Sequence, residues 1–197
     1  MTAKTYDRAY FDTWYRKQGI GGAQRLRRKV ALAVAMAEYH LERPIRTVLD
    51  IGCGEGAWRA PLLAMRPRVQ YLGFDSSTYA VERHGRRRNL HFARFADFAH
   101  LRPCPPVDLL VCSDVLHYVP TRELDRGLPG LAELCGGVAF LEAFTREDET
   151  EGDDVGFIGR PARFYRERFA ALGLRFVGSH CWLAPGRAED AAALELP

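Results

Sequence analysis

The sequence lacks the features that define several classes of protein. Its five cysteines form no C-x-x-C pair, so neither a disulfide framework nor a zinc site is indicated. No run of about 20 apolar residues occurs, and a membrane-spanning helix is therefore not predicted. The first residues have no apolar core of the kind found in signal peptides, so we expect a cytoplasmic protein.

Lysine is also scarce, since only three of the 28 basic residues are lysine and the formal net charge is +3. Arginines cluster at residues 25–29 and 83–88. Contact with nucleic acid is one interpretation of these clusters, and solvated helix faces are the other. The small net charge favours the second, so we do not expect a nucleic acid as partner. Separately, we expect a small-molecule partner and a monomer or homodimer.

Apolar strand-like segments alternate with helix-like segments after residue 45. The strands are predicted at Thr47–Ile51, Val69–Phe74, Leu90–Phe92, Val107–Cys112 and Val138–Phe144, with further strand-like sequence at Leu174–Leu183. This alternation predicts an α/β fold with a doubly wound, mostly parallel sheet of six or seven strands and helices on both faces. Two helices precede the sheet. We therefore divide the chain into an N-terminal helical cap (1–44), a Rossmann-like domain (45–184) and a tail (185–197).

A glycine loop follows the first predicted strand, in the sequence Asp50-Ile-Gly52-Cys53-Gly54-Glu-Gly56-Ala57. Such loops let a ligand approach bare backbone at the carboxyl end of a strand. Two kinds of ligand are considered, a dinucleotide and a ligand with an ammonium group. The pattern satisfies the dinucleotide motif G-x-G-x-x-A, and Asp75 lies 21 residues beyond Gly54 as in dinucleotide sites. Asp50 decides between them, since a carboxylate there repels a diphosphate and favours a ligand with an ammonium group.

The glycine loop resembles the first motif of class I S-adenosylmethionine-dependent methyltransferases. The resemblance continues through Tyr71–Ser76, Arg94–Phe98 and Val107–Tyr118, which are similar to the second, third and fourth motifs, and it covers about residues 45–145. It implies S-adenosylmethionine as the cofactor. The cofactor-binding residues that it implies are Asp50, Gly52, Cys53, Gly54, Gly56, Asp75, Ser76, Asp97, Phe98, Ser113 and Asp114.

Each of these positions has an expected role if the resemblance holds. Asp75 accepts hydrogen bonds from the two ribose hydroxyls, and Asp97 accepts one from the adenine amino group, with Phe98 beside the ring. Asp50 and the glycines border the methionine part. Ser113 and Asp114 lie near the sulfonium, where a negative group stabilises a cation.

The methyl acceptor is expected on the opposite side of the sulfonium. His117 is the candidate general base, although it can equally well only pack in the loop. Tyr10, Trp14, Tyr118 and Glu142 are candidate acceptor-binding residues. The aromatic stripe of Tyr6, Tyr10 and Trp14 either closes over the site or packs on the core. The acids at 147–154 lack the spacing of metal ligands, so no metal is predicted.

Several features depart from related patterns or stay open. Ser113-Asp-Val-Leu-His replaces the D-P-P-Y sequence of amino-methylating nucleic-acid enzymes. Arg160 and Arg163 are interpreted as solvated rather than as anion ligands. The run Leu174–Leu183 either lacks a strand or is divided by a bend near Gly178–Ser179.

The function expected is methyl transfer to O or N of a small molecule. RNA or protein methylation, a non-catalytic cofactor-binding protein and an NAD oxidoreductase are the alternatives.

Overall fold

The computed structural model describes residues 6–17, 22–149, 153 and 155–195. Within them the chain forms one sheet from the strands β1 (Thr47–Ile51), β2 (Gln70–Asp75), β3 (Leu90–Phe92), β4 (Val107–Ser113), β5 (Cys135–Glu142), β6 (Arg175–Gly178) and β7 (Cys181–Leu183). The strand order is β3-β2-β1-β4-β5-β7-β6. Strands β1 to β5 pair in parallel, and β7 is antiparallel to both β5 and β6. The predicted doubly wound, mostly parallel sheet is confirmed.

The helices fall close to the predicted segments. They are α1 (Arg8–Phe11), a π-helical turn (Asp12–Lys17), α2 (Ala23–Leu41), α3 (Arg59–Met65), α4 (Thr78–Arg88), α5 (Thr121–Leu134) and α6 (Ala162–Ala171), with 3-10 helices at Phe95–Ala99, Pro185–Asp190 and Ala193–Glu195. Helix α2 ends before Glu42, which adopts a left-handed φ of 53° two residues ahead of Pro44. Residues 18–21, between the two N-terminal helical segments, lie outside the described residues, as do 150–152 and 154 of the acidic segment at 147–154.

Both faces of the sheet carry a hydrophobic core, which explains why its strands are almost continuously apolar. In β4, Leu110 and Cys112 pack with α5 and α6 on one face. Leu109 and Val111 pack with α2 and α3 on the other. Alternate residues of one strand therefore serve two separate helical layers. Helix α2 contributes to the second core through a stripe of buried residues, Val30, Ala33, Val34 and Ala37.

The run Leu174–Leu183 contains two strands, so the second of the two alternatives for this segment is confirmed. Gly178, Ser179 and His180 all have positive φ, at 97°, 46° and 67°. These three left-handed residues reverse the chain within a very short turn, so a hairpin fits into a run that is too short for an ordinary loop. The hairpin places β7 against β5 and leaves β6 at the edge of the sheet.

Helix α5 and the 3-10 helix at Phe95–Ala99 approach each other so closely that glycine is required between them. A Cβ atom at Gly130 would lie 1.7 Å from the carbonyl oxygen of Phe98. We expect Gly130→Ala to destabilise the fold by about 1–3 kcal/mol or more, because overpacked backbone must shift. Thermal unfolding measures this change. Gly186→Ala is the matched control, since a Cβ there meets nothing within 4 Å and should leave Tm almost unchanged. Equal Tm values for the two variants would contradict the packing argument.

Candidate functional site

The strand order reverses between β1 and β4, and this is where an open α/β sheet forms a ligand crevice. From β1 the chain builds outward to β2 and β3, whereas from β4 it builds toward β5 in the opposite direction. The carboxyl ends of these parallel strands meet at one edge. The glycine loop after β1, the turn after β2 and the loops after β4 and β5 therefore surround the same crevice.

The glycine loop has a backbone that other residues do not readily adopt. Gly52, Gly54 and Gly56 have φ values of 76°, 54° and 75°, all left-handed. The amides of Gly52 and Cys53 both donate to the carbonyl oxygen of Phe74, at 2.8 and 3.0 Å, which ties the loop to the end of β2. A Cβ atom at Gly52 would also lie 2.3 Å from the side chain of Val115. The loop that the sequence predicted as a ligand cradle is thus held in one conformation.

Asp75 at the end of β2 joins two parts of the crevice. One carboxylate oxygen accepts a hydrogen bond from the amide of Gly54 and the other accepts one from the amide of Ser77, each at 2.7 Å. The residue is 9% exposed, and burial raises the pKa of its carboxyl despite these amides. Each oxygen keeps a further lone pair. The side chain can therefore accept hydrogen bonds from two hydroxyl groups of a ligand.

Asp50 is buried beneath the glycine loop. It is 2% exposed and accepts a 2.7 Å hydrogen bond from the hydroxyl group of Tyr71. Burial raises the pKa of Asp50 to about 7, against the lowering effect of Tyr71 and with a smaller contribution from the charge of Asp75. The contact with a ligand ammonium group stays a prediction, and the structure shows a contact with Tyr71.

The other residues near the glycine loop differ in their exposure. Cys53 is 7% exposed, and burial raises the pKa of its thiol well above the usual range, so the side chain is a neutral packing group. Ser76 is exposed directly after Asp75. Of these two, Ser76 is the residue whose side chain a ligand can reach.

The 3-10 helix after β3 carries the two residues assigned to adenine. Asp97 is exposed, and one of its oxygens accepts a hydrogen bond from the amide of Arg94 at 2.8 Å. Phe98 is 1% exposed and packs edge-on against Phe74, with ring centroids 5.6 Å apart. Phe98 therefore supports this helix from the core, and Asp97 is the residue with a side chain directed to solvent.

Glu142 at the end of β5 contacts both helix α2 and the end of β4. One oxygen of Glu142 accepts hydrogen bonds from the ammonium group of Lys29 and the hydroxyl group of Ser113, each at 2.5 Å. Burial alone would raise the pKa of Glu142, but Lys29 and Ser113 outweigh it and the pKa is lowered. Glu142 is thus an ionised carboxylate whose charge is balanced from helix α2.

The loop after β4 places Asp114 and His117 together. Asp114 has a φ of 64°, its amide donates to the carbonyl oxygen of Glu142 at 3.1 Å, and its side chain is 52% exposed. His117 is 1% exposed. Its Nε2 lies 3.3 Å from a carboxylate oxygen of Asp114, and its Nδ1 accepts a hydrogen bond from the amide of Phe144 at 3.2 Å. The candidate base is therefore buried, while the neighbouring acid is accessible.

Residues 6–17 lie along the edge of the crevice beside β2 and the glycine loop. The hydroxyl group of Ser77 donates to the carbonyl oxygen of Tyr6 at 2.5 Å, and Arg16 donates to Glu55 at 2.7 Å. Burial raises the pKa of the Tyr6 phenol, and the charges of Asp75, Asp153 and Asp114 raise it further. The phenol therefore stays protonated beside acids from both sides of the crevice.

The candidate acceptor-binding aromatics are partly exposed. Tyr10 packs edge-on against Tyr6, with ring centroids 5.0 Å apart, and Trp14 lies in the π-helical turn. Tyr118 donates from its hydroxyl group to the carbonyl oxygen of Asp153 at 2.8 Å, and its ring centroid is 4.3 Å from that of His117. Phe11, which lies beside this stripe, is buried in the core, whereas Tyr10 and Trp14 are partly exposed. Closure of the stripe over the site stays a prediction.

Two basic residues have roles that the sequence did not reveal. Lys29 belongs to a cluster interpreted as solvated, yet it pairs with Glu142 in the crevice. The interpretation of Arg160 as solvated is wrong, because it is 5% exposed and donates to the carbonyl oxygens of Leu116 and Val119. For Lys29, the one available signal in the sequence was that a lysine stands among arginines at residues 25–29. Nothing in the local sequence distinguishes Arg160 from the exposed arginines around it.

The part of the chain that the structure describes shows neither a metal cluster nor a membrane span. Within it, no group of three or more histidine, cysteine, aspartate or glutamate side chains is arranged to hold a metal ion. None of the described helices is both long and apolar enough to cross a membrane.

A parallel sheet with a glycine loop and an acid at its switch point defines a Rossmann-like protein with a nucleoside-type ligand site. Residues 49–137 match the family model described as "Methyltransferase domain". Over this segment, which is a little under half of the chain, the sequence is similar to methyltransferase domains. This match and the fold favour the methyltransferase interpretation of the glycine loop over the dinucleotide one.

Individual proteins are similar to this chain over different spans. Trans-aconitate 2-methyltransferase from Methylobacterium nodulans is 39% identical over 87 residues, which cover 43% of this chain and 33% of that protein. This chain thus matches about a third of the length of that curated relative. Magnesium protoporphyrin IX methyltransferase from Synechocystis shares the fold, with a TM-score of 0.64, 21% identity and coverage of 88% and 87% of the two chains. A methyltransferase from Archaeoglobus fulgidus has a TM-score of 0.63, 16% identity and coverage of 85% and 73%.

The buried carboxyl of Asp50 makes stability depend on pH. Its folded-state pKa of about 7 exceeds the unfolded value, so its stabilising contribution is complete below about pH 4 and is lost as the pH rises through 7. We expect Asp50→Asn to retain the hydrogen bond from Tyr71 and to remove this loss. In thermal melts of the ligand-free protein between pH 4 and 8, the wild type should lose about 1–4 kcal/mol relative to the variant, because each pKa unit corresponds to roughly 1.4 kcal/mol. If the stabilities of the two proteins changed with pH in parallel, the raised pKa assigned to Asp50 would be contradicted.

Proposed function

We propose that this chain transfers a methyl group from S-adenosylmethionine to an oxygen or nitrogen atom of a small-molecule acceptor. The observation that carries the proposal is the arrangement around Asp75. Its carboxylate is held by amides from the glycine loop and from the turn after β2, in a crevice whose other side is formed by Ser113 and Asp114. One side of this crevice suits a nucleoside and the other suits a cation.

The residues present fit the cofactor chemically. The two oxygens of Asp75 offer acceptors for ribose hydroxyls, and the exposed carboxylate of Asp97 offers one for an adenine amino group. The glycines present bare backbone to the methionine part. When bound, S-adenosylmethionine supplies a methyl group that is already activated by a sulfonium. The acids Asp50 and Asp114 stabilise positive charge on this ligand.

The protein then has to orient the acceptor and exclude water. Tyr118 and Asp114 lie on the loop after β4, and Tyr10 and Trp14 belong to the segment that runs beside Asp75 through Tyr6 and Ser77. These aromatic side chains form the apolar part of the acceptor site. Glu142 keeps the ends of β4 and β5 together through its pairing with Lys29 and Ser113.

A small acceptor is supported by the segment at residues 6–17, which covers one edge of the crevice and limits access. The names of the relatives agree, since trans-aconitate and magnesium protoporphyrin IX are small molecules. Among the arginines of α4, Arg88 turns back to the glycine loop and donates to the carbonyl oxygen of Glu55 at 2.5 Å, so it supports the loop rather than a polymer outside it. A small molecule therefore fits better than RNA or protein.

Calorimetry and turnover separate the alternatives. We expect S-adenosylhomocysteine to bind the purified chain, and methyl transfer from labelled S-adenosylmethionine to occur with at least one member of a panel of small amines, phenols and carboxylic acids. If S-adenosylhomocysteine binds but no methyl group is transferred to any member of the panel, to RNA or to protein, the result would support a non-catalytic protein. Binding of NAD in place of S-adenosylhomocysteine would reject the proposal.

Replacing Asp75 tests the cofactor site directly. We expect Asp75→Ala to weaken S-adenosylhomocysteine affinity by about 10- to 100-fold, because hydrogen bonds to an ionised group are lost. Isothermal titration calorimetry measures the change. Glu133→Ala is the control, because this exposed acid of α5 pairs with Arg102 and lies outside the crevice. An Asp75→Ala protein that is folded by circular dichroism and binds with unchanged affinity would exclude Asp75 from the site.

A further inference from the structure

His117 is enclosed on all the sides that the structure describes. The ring is 1% exposed, and the rings of Tyr118, Phe144 and Phe157 surround it, with centroids 4.3, 5.5 and 5.4 Å away. Its own carbonyl oxygen also accepts a hydrogen bond from the amide of Ile158 at 2.9 Å. A group that removes a proton from an acceptor must come within hydrogen-bond reach of it. The described residues leave this ring no open face from which to do so.

The partners of the two ring nitrogens determine where the proton lies. A backbone amide can only donate, so the amide of Phe144 requires an unprotonated Nδ1. The proton of the neutral ring is then on Nε2, which faces the carboxylate of Asp114 at 3.3 Å. The lone pair that a general base would need is already occupied. The ring therefore lies between two segments: its Nδ1 accepts from the amide of Phe144 after β5, and its Nε2 faces the carboxylate of Asp114 after β4.

Asp114 is the member of this pair that reaches the crevice. It lies at the carboxyl end of β4 with a φ of 64°, a conformation that aspartate tolerates better than most residues. Its amide donates to the carbonyl oxygen of Glu142, which fixes the backbone against β5. Its side chain is 52% exposed, whereas that of His117 is 1% exposed. The accessible carboxylate is therefore held from behind by a buried imidazole.

We propose that His117 is a positioning residue that holds the Asp114 carboxylate in the crevice. In this arrangement Asp114 contacts an N–H or O–H group of the methyl acceptor. The inference rests on the proposed methyl transfer. Asp114 accepts a hydrogen bond from the acceptor and so directs the nucleophilic lone pair. The C–N or C–O bond forms as the C–S bond of the sulfonium breaks, S-adenosylhomocysteine leaves, and the acceptor's proton passes to solvent water through Asp114 rather than to His117. The acceptor class is accordingly an amine or a hydroxyl compound rather than a group without a hydrogen to donate.

A double-mutant cycle tests the link between the two residues. The variants are His117→Ala, His117→Gln, Asp114→Asn and the double variant His117→Ala/Asp114→Asn. We expect His117→Ala and Asp114→Asn each to lower kcat/KM for the acceptor by about 10- to 100-fold, since each change removes one member of the 3.3 Å contact between the imidazole and the carboxylate. The double variant should be no slower than Asp114→Asn alone, because both act through one carboxylate. Additive losses would overturn the proposal.

The glutamine variant separates positioning from base catalysis. His117→Gln keeps an N–H donor near the position of Nε2 but cannot act as a base at neutral pH. We expect it to retain most of the activity that His117→Ala loses, with the same dependence of kcat/KM on pH as the wild type. S-adenosylhomocysteine affinity should be unchanged in both. A glutamine variant as inactive as the alanine variant would overturn the positioning role. His100→Ala, which removes an exposed histidine, is the control.

A spectroscopic arm keeps the inference separate from the proposed function. Long-range proton–nitrogen NMR spectra of the wild-type protein report which ring nitrogen of His117 carries the proton. We expect the proton on Nε2, and a proton on Nδ1 would overturn the link even in a protein that folds and turns over. This measurement needs no acceptor. A wild type that binds cofactor but transfers no methyl group would instead reject the proposed function and with it the contact between Asp114 and the acceptor.

Discussion

The carboxylate of Asp75 accepts one hydrogen bond from the glycine loop and another from the turn after β2, and the shape of the crevice depends on this bridge. An unpaired carboxylate at 9% exposure would carry a large desolvation cost, so the two amides are needed as much as the acid. The amides of Gly52 and Cys53 add a second link to β2 through Phe74. The glycine loop is therefore organised by strand β2 before any ligand arrives.

Three buried acids along this edge are stabilised in three different ways. Asp75 relies on backbone amides, Asp50 on the hydroxyl group of Tyr71, and Glu142 on the ammonium group of Lys29. The charge partner makes the difference, because the pKa of Glu142 is lowered whereas those of Asp50 and Asp75 are raised. The crevice thus has an end with a balanced ion pair and an end where the buried acids have no basic side chain as partner.

Much of the fold and the position of the glycine loop could be predicted from local sequence. The apolar strands, the glycine loop and Asp75 are contiguous signals, because strand periodicity and left-handed turns depend on nearby residues. The partners of His117 could not be predicted, since Phe144 and Phe157 come from segments after β5. The burial of Arg160 and the pairing of Lys29 with Glu142 likewise join residues far apart in the chain.

The sequence by itself determined the class of fold and the position of the glycine loop, because alternating apolar segments and a glycine turn need no distant contact to be recognised. Only the tertiary structure decided which polar side chains face the crevice. Two aspartates at similar places in the sheet show this. Asp50 near the end of β1 is buried, whereas Asp114 directly after β4 is accessible. Burial and hydrogen-bond partners depend on how helices and loops from remote segments pack over the sheet, and those contacts leave no local pattern in the chain.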